Sequence, residues 1–131
     1  LYTDLILPYS KRILDAAREN NCPTIFFPKD IGNGVSIIDK SICDYVSVDW
    51  HTPIDHARKI IDSELGIQGN MDPRIFYQDY SEIEEYLNSL INFGSQNQNW
   101  IFNLGHGFLP DIDHKKVKFV VDWIKDKDWN R

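Results

Sequence analysis

The chain has 131 residues, of which 42% are hydrophobic, 26% charged and 13% aromatic, and its formal net charge is −6. That is enough chain for one core, burying roughly 65 to 70% of the surface of the unfolded chain, and too aromatic for a disordered segment. The acidic balance, with no basic cluster beyond pairs such as Lys115-Lys116, excludes a nucleic-acid surface; no apolar run approaches the ~20 residues of a membrane helix, and the first residues show no export pattern, so neither membrane nor secretion is expected.

In chain order, a helix is predicted over Leu5 to Asn20, after a break at Pro8, with Ile13, Leu14 and Ala17 opposite Lys11, Arg12, Arg18 and Glu19. The run 24–27, bounded by prolines, predicts the first strand. Gly32-Asn-Gly34 opens a second helix at roughly Val35 to Ile42, and Tyr45 to Trp50 is the second strand. Thr52 reads as an N-cap, with Pro53 as the first residue of a helix to about Asp62. Leu65 to Gly69 is the third strand and Asn70-Met-Asp-Pro73 a loop. Ser81-Glu-Ile-Glu84 predicts a capping box for a helix to about Asn92, ended by Gly94. Trp100 to Leu104 is the fourth strand, and Asp113 caps a last helix through Val117, Val120, Val121 and Ile124.

Helix, then four strands each followed by a helix, means an α/β fold of parallel βα units. Four units are half of an eight-unit barrel; from periodicity alone a small open sheet fits equally, although no Gly-x-Gly-x-x-Gly or Walker-type loop supports a nucleotide-binding version. No linker or repeat divides the chain, so residues 1–131 read as one domain or part of one, and the absence of an initiator methionine suggests a fragment. Cys22 and Cys43 lack metal-ligand spacing and are expected to be reduced and buried, in an intracellular protein.

Polar residues fall where strands end: Lys29-Asp30, Asp49-Trp50, Gln68-Gly-Asn70 and Asn103-Leu-Gly-His106. In a parallel sheet these converge on one edge, the edge at which α/β proteins bind ligands. Asp49 suits a helix cap or a loop amide as well as a ligand. Gln68 and Asn70 suit turn and scaffold roles, Asn103 suits positioning of its neighbours, and Lys29 suits pairing with a carboxylate. His106 stands between Gly105 and Gly107, which let the backbone turn sharply at the strand exit, so its imidazole is offered to a ligand. His56 and His114 read as solvated helix residues, no chemistry attaches to His51, and Trp123 and Trp129 read as helix packing.

Val48-Asp-Trp50, Gln68-Gly-Asn-Met-Asp-Pro73, and Asn103-Leu-Gly-His-Gly107 followed by Pro110-Asp111, with Leu7-Pro-Tyr9 near the start, resemble the uroporphyrinogen decarboxylase family in order and spacing over essentially the whole chain. The resemblance implies the last four strands of a (β/α)₈ TIM barrel, the C-terminal half, present here as a half barrel. It implies a cofactor-free and metal-free homodimer in the cytoplasm, or in a plastid of a photosynthetic eukaryote. The implied substrate is a porphyrinogen: carbon dioxide leaves the four acetate side chains of uroporphyrinogen to give coproporphyrinogen, in haem and chlorophyll synthesis. His106 corresponds to the family histidine at the rim of the cleft, a substrate contact and a candidate proton donor, since an imidazole changes charge near neutral pH. The family's aspartate for the pyrrole N–H groups and its carboxylate-gripping arginines belong to earlier strands, and Arg12, Arg18, Arg58 and Arg74 do not replace them. A zinc-dependent thiol or corrinoid methyltransferase of the same superfamily is the nearest rival, but neither cysteine follows a histidine at the required spacing. The other rival is a non-catalytic half barrel, which by itself is expected to be inactive and to self-associate through its open edges.

Overall fold

A computed structural model describes residues 1–129. Two helices open the chain, α1 at Tyr2–Leu5 and α2 at Leu7–Glu19. Pro8 lies in the first turn of α2, where the N–H it lacks has no intrahelical acceptor, so it helps start the helix instead of breaking it. Leu7 and Leu14 pack onto the core, while Leu5, Tyr9 and Ile13 leave one face of this pair exposed.

The sheet is parallel, in the order β1 (Ile25–Phe26), β2 (Tyr45–Ser47), β3 (Gly66–Gln68), β4 (Trp100–Ile101). Each strand therefore lies beside its sequence neighbour, which is barrel order and has no switch point of the doubly wound kind. Phe26, Val46, Ile67 and Trp100 are aligned by register and pack into one apolar core with Ile38, Ile54, Ala57 and Leu65. On the opposite face Ile25 and Ile101, on the two edge strands, are exposed, while Ser47 on β2 is buried. One covered face with sequential strand order is the arrangement of a partial TIM barrel, and it decides against the open sheet.

The ladder is shorter than the apolar runs suggest. Beyond it the chain keeps single contacts: Val48 N donates to Gln68 O (2.9 Å), and Met71 and Leu104 form an isolated parallel bridge. The predicted strand tails at 48–50 and 102–104 thus become loops that hold polar groups at the edge.

Several element boundaries differ from the sequence reading. The expected helix Val35 to Ile42 is a 3₁₀ segment, Gly32–Ile37, and the Asp39 carboxylate then takes the Ser41 N–H (2.8 Å) into a turn that competes with helix. The third helix, α3, is Ile54–Ile60 and is capped by Pro53; Thr52 is buried and its carbonyl accepts a side-chain bond from Asn70. The presumed loop after Asn70 ends in a 3₁₀ helix, Pro73–Tyr77, whose cap Asp72 accepts from Arg74 N. The capping box lies two residues earlier than expected, between Asp79 and Glu82, and starts α4 at Tyr80–Ser89. A separate helix, α5 (Ile91–Gln96), contains Gly94 instead of ending at it, because a Cβ there would meet Trp129 at 2.5 Å and Trp100 at 2.8 Å. Asp113 caps α6, His114–Asp126, as expected, and α6 packs Val117, Val120 and Trp123 with Met71, Phe76 and Ile83 in a second core. Cys43 is buried and its thiol is pushed up to about 11, chiefly by desolvation, but Cys22, on the turn after α2, is exposed.

At the N-terminal ends of the strands, Asp44 ties β1 to β2. Its carboxylate accepts from Thr24 N and Thr24 Oγ1, both at 2.9 Å, and from Lys40 Nζ at 3.0 Å. The Thr24 amide and the Lys40 ammonium hold this carboxyl down at about 2. A folded-state value below the unfolded one, about 3.9, stabilises the fold above pH ~4, and that stability is lost as the pH falls toward ~2. Asp44→Ala is expected to cost about 2 kcal/mol at pH 7. In urea unfolding, the gap between the two proteins should close as the pH is lowered from 4 to 2; a gap that persists at pH 2 would assign the effect to packing.

Candidate functional site

All the strand-end groups sit on the C-terminal edge of the sheet, and three of them share a cleft of about 490 Å³. Its lining combines Ile25 and Phe27 from β1 and its exit, Ser47 from β2, Gln68 from β3, and Asn103, Leu104, His106, Gly107 and Phe108 from the segment after β4. His106 is exposed and has no hydrogen-bond partner among the described residues. Its ring is open to a ligand. Gln68 Oε1 is shielded from solvent and unpartnered among the described residues, a polar atom awaiting a donor. The Asn103 side chain accepts from Leu104 N (2.8 Å), so it shapes its own turn while lining the cleft.

Asn70 and Asp49 are structural. Asn70 is buried and donates to Asp49 O (2.8 Å) and Thr52 O (2.6 Å), locking the loop after β2 to the end of β3. Asp49, 5% exposed, accepts from Asp30 N and His51 N, each at 3.0 Å, which is the loop-amide role. Lys29 is exposed and lies 3.7 Å from the Asp30 carboxylate, the pairing its sequence position suggests.

The two glycines around His106 do different jobs from the one expected. Neither adopts a positive φ. Gly105 is required for close approach: its N–H donates to Met71 O (2.9 Å), and a Cβ would collide with Trp50 N and lie 2.7 Å from Trp50 Cβ. Gly107 faces open space, with nothing within 4 Å of a Cβ. The sharp exit of the strand is therefore fixed by packing against Trp50, not by glycine backbone freedom.

Sequence reasoning missed a group around His51. The Trp50 and His51 rings stack at 3.9 Å, and the Arg74 guanidinium lies 4.0 Å from the centre of the Trp50 ring on an arm paired with Asp72 (2.7 Å). Burial would raise the Asp72 carboxyl, but the hydrogen bonds and charge of Arg74 outweigh it and hold the group below its ordinary value. His51 Nδ1 and one oxygen each of Asp30 and Asp49 lie within 4.8 Å of one another, close enough to share a cation, although the Lys29 ammonium already sits beside Asp30. The polar residues were legible; their proximity depended on Asp30 adopting a left-handed φ of 60° that folds it toward Asp49. His56, on α3, bonds Asn33 (2.9 Å), and Trp123 and Trp129 meet edge to face in the helix layer.

Residues 1–127 match the family model described as uroporphyrinogen decarboxylase (URO-D). The chain belongs to the uroporphyrinogen decarboxylase family. Relatives bearing the name uroporphyrinogen decarboxylase include those of Trichlorobacter lovleyi, 32% identical over 94% of this chain and 36% of the relative, and Wigglesworthia glossinidia brevipalpis, 36% identical over 94% and 33%. A third, from Chloroherpeton thalassium, is 31% identical over 96% and 37%. The chain thus spans about a third of the length of these curated relatives. Among the described residues no helix is long and apolar enough to cross a membrane.

Proposed function

We propose that this chain supplies the last four strands, within a single barrel domain, of a carboxy-lyase that converts uroporphyrinogen to coproporphyrinogen, a step in porphyrin and haem synthesis. The observation that carries this reading is His106, exposed and without a hydrogen-bond partner among the described residues, on a cleft whose walls come from all four strand ends. In each turnover a pyrrole carbon takes up a proton, the bond between the acetate methylene and its carboxylate breaks as its electron pair moves into the protonated ring, carbon dioxide leaves, and the exocyclic methylene takes a proton to become methyl while the ring gives up the proton it gained. His106 serves that sequence by binding a carboxylate or by delivering a proton.

A substrate with eight carboxylates needs charge-assisted donors. At this edge Arg74 is occupied by Asp72, while Arg18 and Arg58 are bonded to backbone carbonyls at the opposite ends of the strands. In this reading, as the family resemblance implies, the anion-gripping arginines and the aspartate for the pyrrole N–H groups are supplied by other strands of the full-length protein. A cytoplasmic homodimer is part of the same reading. The methyltransferase alternative is not favoured: Cys22 and Cys43 precede β1 and β2, at the opposite ends of the strands from His106, so they offer it no thiolate.

The test is turnover by the purified full-length protein. Uroporphyrinogen should pass to coproporphyrinogen with no added cofactor and at the same rate in a strong metal chelator. Stoichiometric zinc together with a chelator-sensitive rate, or no product from uroporphyrinogen, would overturn the reading.

A further inference from the structure

His106 sits in a segment, 105–113, that contains no helix or strand, and its ring makes no hydrogen bond among the described residues, so the imidazole can only be as well placed as the backbone beneath it. On the N-terminal side that backbone is held by Gly105, bonded to Met71 O and pressed on Trp50. On the C-terminal side the holding groups come from the 3₁₀ helix Pro73–Tyr77. Phe76, 2% exposed and fixed in the second core, contacts the Phe108 ring at 5.6 Å between centroids. Its neighbour Tyr77, 48% exposed, donates its hydroxyl to Asp111 Oδ1 at 2.5 Å. An O–H bond of this length to a carboxylate is charge-assisted. That bond also raises the Tyr77 hydroxyl above its ordinary value, which keeps it a donor through the neutral range. Just beyond, Lys116 Nζ donates to Gln78 O (2.6 Å). The same short helix reaches back to the loop after β2 through Arg74 over Trp50.

We propose that Tyr77 is a positioning residue for His106, latching the His106 segment through Asp111 so that the imidazole faces the cleft; this rests on the reading of His106 as a substrate-contacting group. Tyr77 touches no reacting atom. It acts by holding the C-terminal leg of the turn, while Phe76 holds the middle.

The experiment is a double-mutant cycle in the full-length protein, with uroporphyrinogen as substrate. Tyr77→Phe, which removes only the hydroxyl, should lower kcat/KM by about tenfold through misplacement of the ring, and it should have no further effect in a His106→Ala background. Asp111→Ala should match Tyr77→Phe, and Asp111→Asn, whose carbonyl still accepts, should lose less. Equal losses in the wild-type and His106→Ala backgrounds, or full activity of Tyr77→Phe, would overturn the proposal. A second readout is independent of turnover: the His106 Cε1–H resonance, assigned by its disappearance in His106→Ala. If the wild-type protein leaves uroporphyrinogen untouched, the functional reading fails, and the latch is then judged on this resonance alone. A shift or broadening in Tyr77→Phe supports the latch, and an unchanged signal refutes it.

Discussion

Replacing His106 by alanine in the full-length protein is expected to lower turnover of uroporphyrinogen, the proposed substrate, by about 100-fold, the lower range for loss of a positioned acid–base group, and to leave the unfolding midpoint unchanged. Both halves of that result follow from the geometry. The ring is exposed and has no hydrogen-bond partner among the described residues, so truncation opens no core cavity and leaves no buried partner unsatisfied there. A surface change of this kind shifts stability by no more than about 0.5 kcal/mol. The same ring lines the cleft with Gln68 and Asn103, where a carboxylate or a carbon awaiting a proton is bound in the proposed reaction. Steady-state kinetics separates the two roles. A raised KM with kcat intact marks a carboxylate contact, and a fall in kcat marks proton delivery. An unchanged rate through all four acetates would remove His106 from the reaction.

The second large effect is one of stability, and it distinguishes two residues that look alike in sequence. Gly105→Ala is expected to cost about 3 kcal/mol, the upper end for overpacking, whereas Gly107→Ala should change stability by less than about 0.5 kcal/mol. A methyl group on Gly105 would strike Trp50 N and approach Trp50 Cα at 2.8 Å. These atoms cannot swing aside as a side-chain tip can, because the Trp50 ring is itself stacked between His51 and Arg74. Relief would require Gly105 to withdraw and break its 2.9 Å bond to Met71 O. Gly107 has open space and no positive φ, so alanine fits. Urea denaturation of the two variants checks the contrast, and equal midpoints would show that the contact with Trp50 relaxes freely.

Much of the fold was legible because its causes are local. The mostly apolar runs at 24–27, 45–50, 65–69 and 100–104 each contain a strand, in the expected order, since parallel strands that pack on a core are rich in apolar residues. Asp113 announced its helix because a cap acts on an amide only two residues away. Where local rules competed, the wrong one could be chosen. Ser81-Glu-Ile-Glu84 and Asp79-Tyr-Ser-Glu82 both satisfy the capping-box pattern, and the second was used. Gly94 looked like a helix stop and instead makes room for Trp129, which approaches from the far end of the chain.

The site was legible as a set of residues but not as a set of roles. His106, Gln68 and Asn103 reach the cleft, whereas Asn70 and Asp49 are consumed by loop carbonyls and amides. His51, adjacent to a predicted strand end but with no chemistry attached to it, and Arg74 stand together at the same edge. A polar residue is free to act only if no other group has claimed its hydrogen bonds, and those claims come from other strands.

By itself, then, the sequence determined the α/β alternation, the direction of the strands and the edge at which the polar residues gather, because hydrophobic period and Pro or Gly punctuation operate over a few neighbouring positions. Only the tertiary structure decided which of those residues are free, why Gly105 must be glycine, and that Tyr77 stands behind the His106 turn. These depend on partners far apart along the chain: 18 residues between Asn70 and Thr52, 34 between Tyr77 and Asp111. A contact of that range exists only once the sheet order has brought the two loops together.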